Sequence, residues 1–306
     1  MLEALGWILT ALPRSLSLAL GHALGWVLEI TGWKRDLISS NLLLAYPGAT
    51  PESDSYRVSI QKSFYRHFGK LVVEILMMFS WSWKRWVQGH VVLHGWSNWQ
   101  KAREQGKGVI FICSHLGNWE AMAAAFGASG EDLLIVTKHL KPEWLHRAME
   151  RNRARAKVRA TYEPRTLKDV LAQLKKGGAV GFVLDQYAGP PIGIRVPFFG
   201  VPVGTLSAPA IIARRTGAAV VPAYSVRDSD GVFQVWIGQP FLPFESPDPS
   251  SPADPKELAS RLALWVAETE KSVRKCPHQW LWSHRRFKGD LSPLAPDEWS
   301  LPRERR

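Results

Sequence analysis

From about residue 90 onward, short runs of apolar and β-branched residues alternate with stretches whose apolar positions recur at helical spacing. Residues 91–94, 109–113, 133–137, 179–184, 218–225 and 233–238 read as strands, and 119–126, 143–157, 166–176, 205–215 and 255–275 as helices. Gly106-Lys107-Gly108, Lys176-Gly177-Gly178 and Thr216-Gly217 each stop an element just before a strand. This alternation predicts an α/β domain with a mixed central sheet flanked by helices. Before residue 90 the pattern is helical, with a long stretch at 54–79 after the turn at Tyr46-Pro47-Gly48 and with Pro51 near its start. The first 33 residues carry only Glu3, Arg14 and Glu29, and 15–28 has no charge. That run is shorter than the roughly 20 apolar residues that span a bilayer. Adding 4–12 gives the length, but Pro13-Arg14 interrupts it. The expectation is an N-terminal helical membrane anchor over 1–33, interfacial or marginally spanning, with a buried amphipathic helix as the alternative. An α/β domain over 34–288 and a polar tail over 289–306 complete the expected organisation. Lys34-Arg35 places the domain on the cytoplasmic side if the helix spans. The start lacks the basic region of a cleaved signal peptide.

Charge changes this picture more than overall composition does. The chain carries a net charge of +12, and between Lys138 and Lys176 twelve Lys/Arg stand against four Asp/Glu, a surplus of eight. An anionic partner is implied: nucleic acid, a membrane surface, or an acidic protein or lipid. The 15 tryptophans are the compositional outlier, and Trp81-Ser82-Trp83-Lys84-Arg85-Trp86 interleaves aromatic with basic residues, a pattern that suits either a lipid–water boundary or a core. Two cysteines, Cys113 and Cys276, give no disulfide framework or zinc site. His90 and His94 flank a predicted strand, about 13 Å apart, too far to share a metal ion. Proline-rich residues 240–255 read as a loop.

The candidate chemistry sits at one strand end. Residues 109–113 are fully apolar, Ser114-His115 follows, and Gly117-Asn118 offers a turn and an N-cap before the helix at Trp119. His115 thus falls at the carboxyl end of a strand, where sites gather in open α/β sheets. Glu120 falls in the first helical turn. On one continuous helix the two side chains would lie about 140° apart, but across a strand–loop–helix bend they converge. A carboxylate on one imidazole nitrogen frees the other to take a proton from an alcohol. The first amides of the Trp119 helix are placed to face an oxyanion.

The ordered motifs around this pair resemble the late acyltransferases of lipid A biosynthesis, within the glycerol-phosphate and lysophospholipid acyltransferase-like group. Their signature, a His followed by four residues and an acid, reads His115 to Glu120. Asn41-Leu42-Leu43-Leu44-Ala45-Tyr46-Pro47, Leu184-Asp185-Gln186, Val196-Pro197-Phe198-Phe199-Gly200-Val201-Pro202 with Thr205, and the closing run from Gln279 to Lys288 match in order. The resemblance covers the chain from about Leu5 to Lys288. It implies a glycerol-phosphate acyltransferase-like fold, His115 as general base, and Glu120 as the residue that orients it. Substrate-binding roles pass to Arg151 and Arg153, between which the choice stays open, and to Asp185. The acidic motif departs from relatives that carry a second Asp two residues on, where this chain has Tyr187. The alternative for Asp185 is a carboxylate that caps loop amides, and His284 is expected to be a hydrogen-bonded structural residue. The resemblance also implies an acyl thioester donor on acyl carrier protein or coenzyme A, a membrane glycolipid acceptor, a monomer at the cytoplasmic face of a bacterial inner membrane, and no metal or bound cofactor.

Competing classes lack their marks. No helix-turn-helix, zinc-finger or RNA-binding aromatic motif supports a nucleic-acid partner. No Gly-x-Ser-x-Gly, phosphate loop or dinucleotide fingerprint is present. A lysophospholipid or mannosylated phosphatidylinositol acceptor, and a basic membrane-surface protein without catalysis, remain as alternatives.

Overall fold

The computed structural model describes residues 2–244 and 254–294. Four helices come first: α1 (Leu2–Ala11), α2 (Arg14–Ile30), α3 (Arg35–Ala45) and α4 (Pro51–Met77). Helix α5 (Trp83–His90) leads into β1 (Val91–His94), and α6 (Trp96–Glu104) into β2 (Val109–Cys113). The alternation continues through α7 (Trp119–Ala128), β3 (Leu133–Val136), α8 (Glu143–Arg155), β4 (Val158–Thr161), α9 (Thr166–Lys175) and β5 (Ala179–Val183). A hairpin of β6 (Gly193–Phe198) and β7 (Val201–Leu206) precedes α10 (Ala208–Thr216), β8 (Ala219–Arg227), β9 (Phe233–Ile237), α11 (Pro255–Lys275) and a 3-10 turn at Pro277–Gln279.

Seven strands form one sheet in the order β1-β9-β8-β2-β5-β3-β4. Strands β8, β2, β5, β3 and β4 run parallel, while β9 lies antiparallel to β8 and carries β1 with it. The sheet is therefore mixed, as expected, with helices packed against it. β2 is buried along its whole length because helices cover both faces of the sheet. Ile110 and Ile112 point into one core with Phe182, Leu262 and Trp265. Val109, Phe111 and Cys113 point into the other, with Ala121, Ala125 and Phe126 of α7. The alternation is the two-residue period of a strand.

The N-terminal segment departs from expectation. Among the described residues no helix is long and apolar enough to cross a membrane, so a spanning anchor is ruled out. Pro13 separates α1 from α2, and α2 has 17 residues, a length of about 25 Å against roughly 30 Å of hydrocarbon. Its charge-free sequence serves another purpose. Ser17, Gly21 and Gly25 form a buried small-residue stripe, and a Cβ on Gly69 of α4 would lie 2.1 Å from the Gly21 carbonyl oxygen. The two backbones meet directly. On the opposite side Leu16, Leu20, Val27 and Ile30 are exposed in one stripe, together with Trp7 and Ile8 of α1.

Other boundaries moved for local reasons. α4 starts at Pro51 because Thr50 and Ser53 form a reciprocal cap. The helix expected over 205–215 begins at Ala208, since the chain up to Leu206 pairs with β6. Phe199 and Gly200, with φ of 54° and 77°, make the two-residue turn of that hairpin. Residues 245–253 of the expected loop, and the expected tail from 295 on, lie outside the described residues. Asp290 pairs with Arg195 at 3.1 Å.

Candidate active site

Parallel pairing of β2 with β5 puts Cys113 opposite Val183. Two residues beyond each lie His115 and Asp185, and strand register brings their side chains together. The Asp185 Oδ1 lies 2.8 Å from His115 Nδ1, and Oδ2 accepts from the His115 amide at 2.7 Å. Trp280 Nε1 donates to the same Oδ2 at 2.7 Å. Burial works against the Asp185 charge, but His115 outweighs it and holds the carboxyl well below the usual range. With Nδ1 engaged, Nε2 is the nitrogen left to accept a proton. Trp119 packs edge-on against the imidazole, ring centres 4.7 Å apart.

Glu120 sits in the first turn of α7, whose N-cap Asn118 accepts from the Ala121 amide. Its carboxylate faces Arg153: Arg153 Nη2 donates to Oε1 at 2.6 Å and Nε to Oε2 at 3.1 Å. The pair is buried on both sides, at 8% and 8% side-chain exposure, so the fork is a fixed feature. Burial works against the guanidinium charge, yet Glu120 outweighs it and raises the Arg153 pKa. Arg153 also reaches Glu150, which accepts from the Tyr162 hydroxyl. The structure thus differs from the expectation that Glu120 orients His115: Asp185 holds the imidazole, and Glu120 holds an arginine. Arg153 is in the site, whereas Arg151 is exposed on α8.

A cavity runs from these groups between α7 and the sheet. His115, Glu120 and Arg153 line its polar end, and the rest is apolar, with Phe111, Met122, Phe126, Leu133 and Ile135 among the walls. It encloses about 830 Å³ counting its mouth, within the usual size of small-molecule sites.

The closing motif clamps both loops of the site. The Leu281 amide donates to the His115 carbonyl at 3.0 Å, and the Gly117 amide to the Gln279 carbonyl at 3.1 Å. Gly117 has φ of 64°, and a Cβ there would meet the Ser225 carbonyl oxygen at 2.3 Å, so glycine is required. His284 Nε2 lies 2.6 Å from the Asp185 carbonyl oxygen, and its pKa is lowered by burial. Arg286, fully buried, donates to the Gln186 carbonyl at 2.8 Å. Gln279 also grips both backbone polar groups of Arg227 at 2.7 Å, and Arg227 joins Arg14 on the buried Glu74. Trp280 and Gln279 had no individual signal in the sequence beyond membership of the closing run.

Among the described residues no group of three His, Cys, Asp or Glu could hold a metal ion. His90 bonds to the Trp86 carbonyl, and His94 to Gln234.

Residues 1–289 match the family described as bacterial lipid A biosynthesis acyltransferase. The chain belongs to that family. It is similar to the lipid A biosynthesis lauroyltransferase of Escherichia coli (strain K12), 27% identical over 287 residues, covering 92% of this chain and 88% of the relative. It is likewise similar to the lipid A biosynthesis palmitoleoyltransferase of the same organism, 28% identical over the same shares. A phosphatidylinositol mannoside acyltransferase of Mycolicibacterium smegmatis is 25% identical over 191 residues, 61% of this chain and 60% of the relative. Membership makes the protein an acyltransferase, with an acyl donor and a glycolipid acceptor as its substrates.

Proposed function

We propose that this acyltransferase moves a fatty acyl chain from an acyl thioester to a hydroxyl of a lipid A precursor. The observation that carries the chemistry is an imidazole, held by a buried carboxylate, at the polar end of an apolar cavity. Nε2 of His115 removes the acceptor proton as the hydroxyl oxygen attacks the thioester carbonyl. Asp185 fixes the tautomer and stabilises the imidazolium that results. The first amides of α7 face the oxyanion of the tetrahedral intermediate. When the intermediate collapses the carbon–sulfur bond breaks, and the thiol leaves with the proton carried by His115. The acyl chain lies in the cavity beneath α7. Glu120 holds Arg153 charged at the entrance, and Arg151 is left to contact substrate at the surface.

The basic stretch 138–176 suits an acidic donor, and acyl carrier protein fits it better than coenzyme A. The exposed apolar stripe of α2 supports an enzyme resting on the cytoplasmic face of an inner membrane, acting as a monomer. The mannoside relative supports a second acceptor class only by kinship.

Mass spectrometry of membrane lipids with and without the gene tests the acceptor. Loss of one acyl group from a lipid A species is expected, while an unchanged profile shifts the reading to a phospholipid or mannoside. Purified His115→Ala is expected to lose acyl transfer by a factor of about 10³ or more while staying folded.

A further inference from the structure

A second hollow lies against the closing motif. Lys34, Arg35 and Asp36, from the α2–α3 link and the first turn of α3, line it with His284 and Arg285. Three fixed cations thus face one acid. The Lys34 ammonium donates to the Ser283 carbonyl at 2.9 Å, and Arg35 to the Glu29 carbonyl at 2.8 Å. These neutral acceptors orient the cations without cancelling their charge. Arg285 is exposed. Among the described residues, no carboxylate comes within ion-pair distance of Lys34, Arg35 or Arg285.

Position gives this basic hollow a meaning. His284 is shared between the hollow and the catalytic ensemble, where its ring centre lies 6.1 Å from that of His115. On the other side, the exposed apolar stripe of α2 ends at Ile30, two residues before Gly32 at the rim. An apolar surface, a basic hollow and a general base therefore follow one another along the molecule. That sequence matches an amphiphile with acyl tails, an anionic headgroup and a nearby hydroxyl. Arginine forks fit the oxygens of a phosphate ester, and ammonium adds a third donor.

We infer that Lys34, Arg35 and Arg285 form a phosphoryl subsite that holds a phosphate ester of the acceptor lipid while its hydroxyl reaches His115. This rests on the acyl-transfer reading above and adds the anionic group by which the acceptor is recognised. Asp36 opposes the charge and limits the subsite to a strongly anionic group.

The test compares wild type with R35Q/R285Q, leaving Lys34 in place because it ties down the Ser283 carbonyl. Each protein acylates a phosphorylated lipid A precursor, and the same lipid after phosphatase treatment, in neutral detergent. For the phosphorylated acceptor the variant KM is expected to rise roughly tenfold, the loss of one charge-assisted contact, with kcat within about twofold. For the dephosphorylated acceptor the two proteins should match. Equal KM values on the phosphorylated acceptor would overturn the subsite. So would a rise confined to the thioester donor, which moves the phosphate to the donor. Lost binding to phosphatidylglycerol vesicles, with acceptor KM unchanged in detergent, would reassign the cations to the bilayer and equally reject it. Equilibrium binding to H115A and H115A/R35Q/R285Q separates this question from catalysis. Phosphate-dependent binding that the triple variant loses supports the subsite even if wild type fails to acylate the lipid, whereas phosphate-independent binding rejects it. Should the double variant unfold, Arg285→Gln alone, at an exposed side chain, gives the same readings.

Discussion

Two buried carboxylates serve the polar end of the cavity, and their partners differ in one property. Asp185 faces an imidazole, and Glu120 faces a guanidinium. An imidazole gives and takes a proton near neutral pH, whereas arginine stays charged throughout. The Asp185 side is built to move a proton, and three donors to one carboxylate keep it ionised. The Glu120 side is a fixed pair that holds the position and charge of Arg153. Proximity within a motif therefore does not settle which acid serves which base.

The comparison predicts unequal losses. Asp185→Asn should lower kcat by about 10⁴ with little change in KM, as expected when a triad-type histidine takes the wrong tautomer. Glu120→Gln should cost activity chiefly through Arg153 and instability, because breaking a buried pair costs about 3–5 kcal/mol. Its kcat loss, corrected for folded fraction, should stay at about 10²-fold or below. Steady-state acyl transfer alongside thermal unfolding checks both, and a reversed order would return the orienting role to Glu120. Trp280→Phe removes one hydrogen bond to the Asp185 carboxylate, worth about 1.5–3 kcal/mol, so kcat should fall by about 10–100-fold. The pH profile of kcat would expose a purely structural effect, since that leaves the profile unmoved. The smallest expected change is in chain length. A Cβ on Gly181 meets Ile135 at 3.5 Å, so Gly181→Val should fit while filling the cavity. Competition between long and short thioesters should then favour the shorter by roughly tenfold or less.

Stability should track pH through the buried imidazoles. Burial, with Arg227 adding repulsion, lowers the pKa of both His67 and His278, and burial lowers that of His284. Each binds a proton more readily when unfolded, so their contribution is full above about pH 6.5 and falls as the pH drops below it. Asp185, also depressed, keeps its contribution until the pH falls below about 4. Unfolding temperatures at pH 7.5 and 5.5 should therefore decline before any carboxylate titrates. An unchanged temperature would falsify the neutral, buried state of these rings.

The sheet was largely readable. Residues 91–94 and 109–113 carry continuous β-branched or apolar runs bounded by breakers, and both are strands at those limits. β4 escaped because Arg159 breaks its short apolar run after a helix. β6 and β7 escaped because Pro197 and Pro202 read as loop. The segment bearing α5 and α6 has a tryptophan cluster whose members split between core and solvent: Trp83, Trp86 and Trp99 are buried, and Trp81 is exposed. His115 was legible as a strand-end residue. Its pairing with Asp185 was not, because it depends on the register of β2 against β5, which no local pattern encodes. Arg151 and Arg153, two residues apart on one helix, face different surroundings, and only the burial of Glu120 decides between them.

The closing run from Gln279 to Arg286 has a consequence for the order of events on the ribosome. The strands bearing His115 and Asp185 emerge early, but the donors that lock them, Trp280 Nε1 and the Leu281 amide, come from chain made much later. At ordinary elongation rates that interval is about 10–30 s. A nascent chain thus carries an unlocked histidine until the last helix has been translated. Thioester chemistry switches on only in a finished polypeptide, when a stalled or truncated product can no longer waste activated acyl chains by hydrolysis.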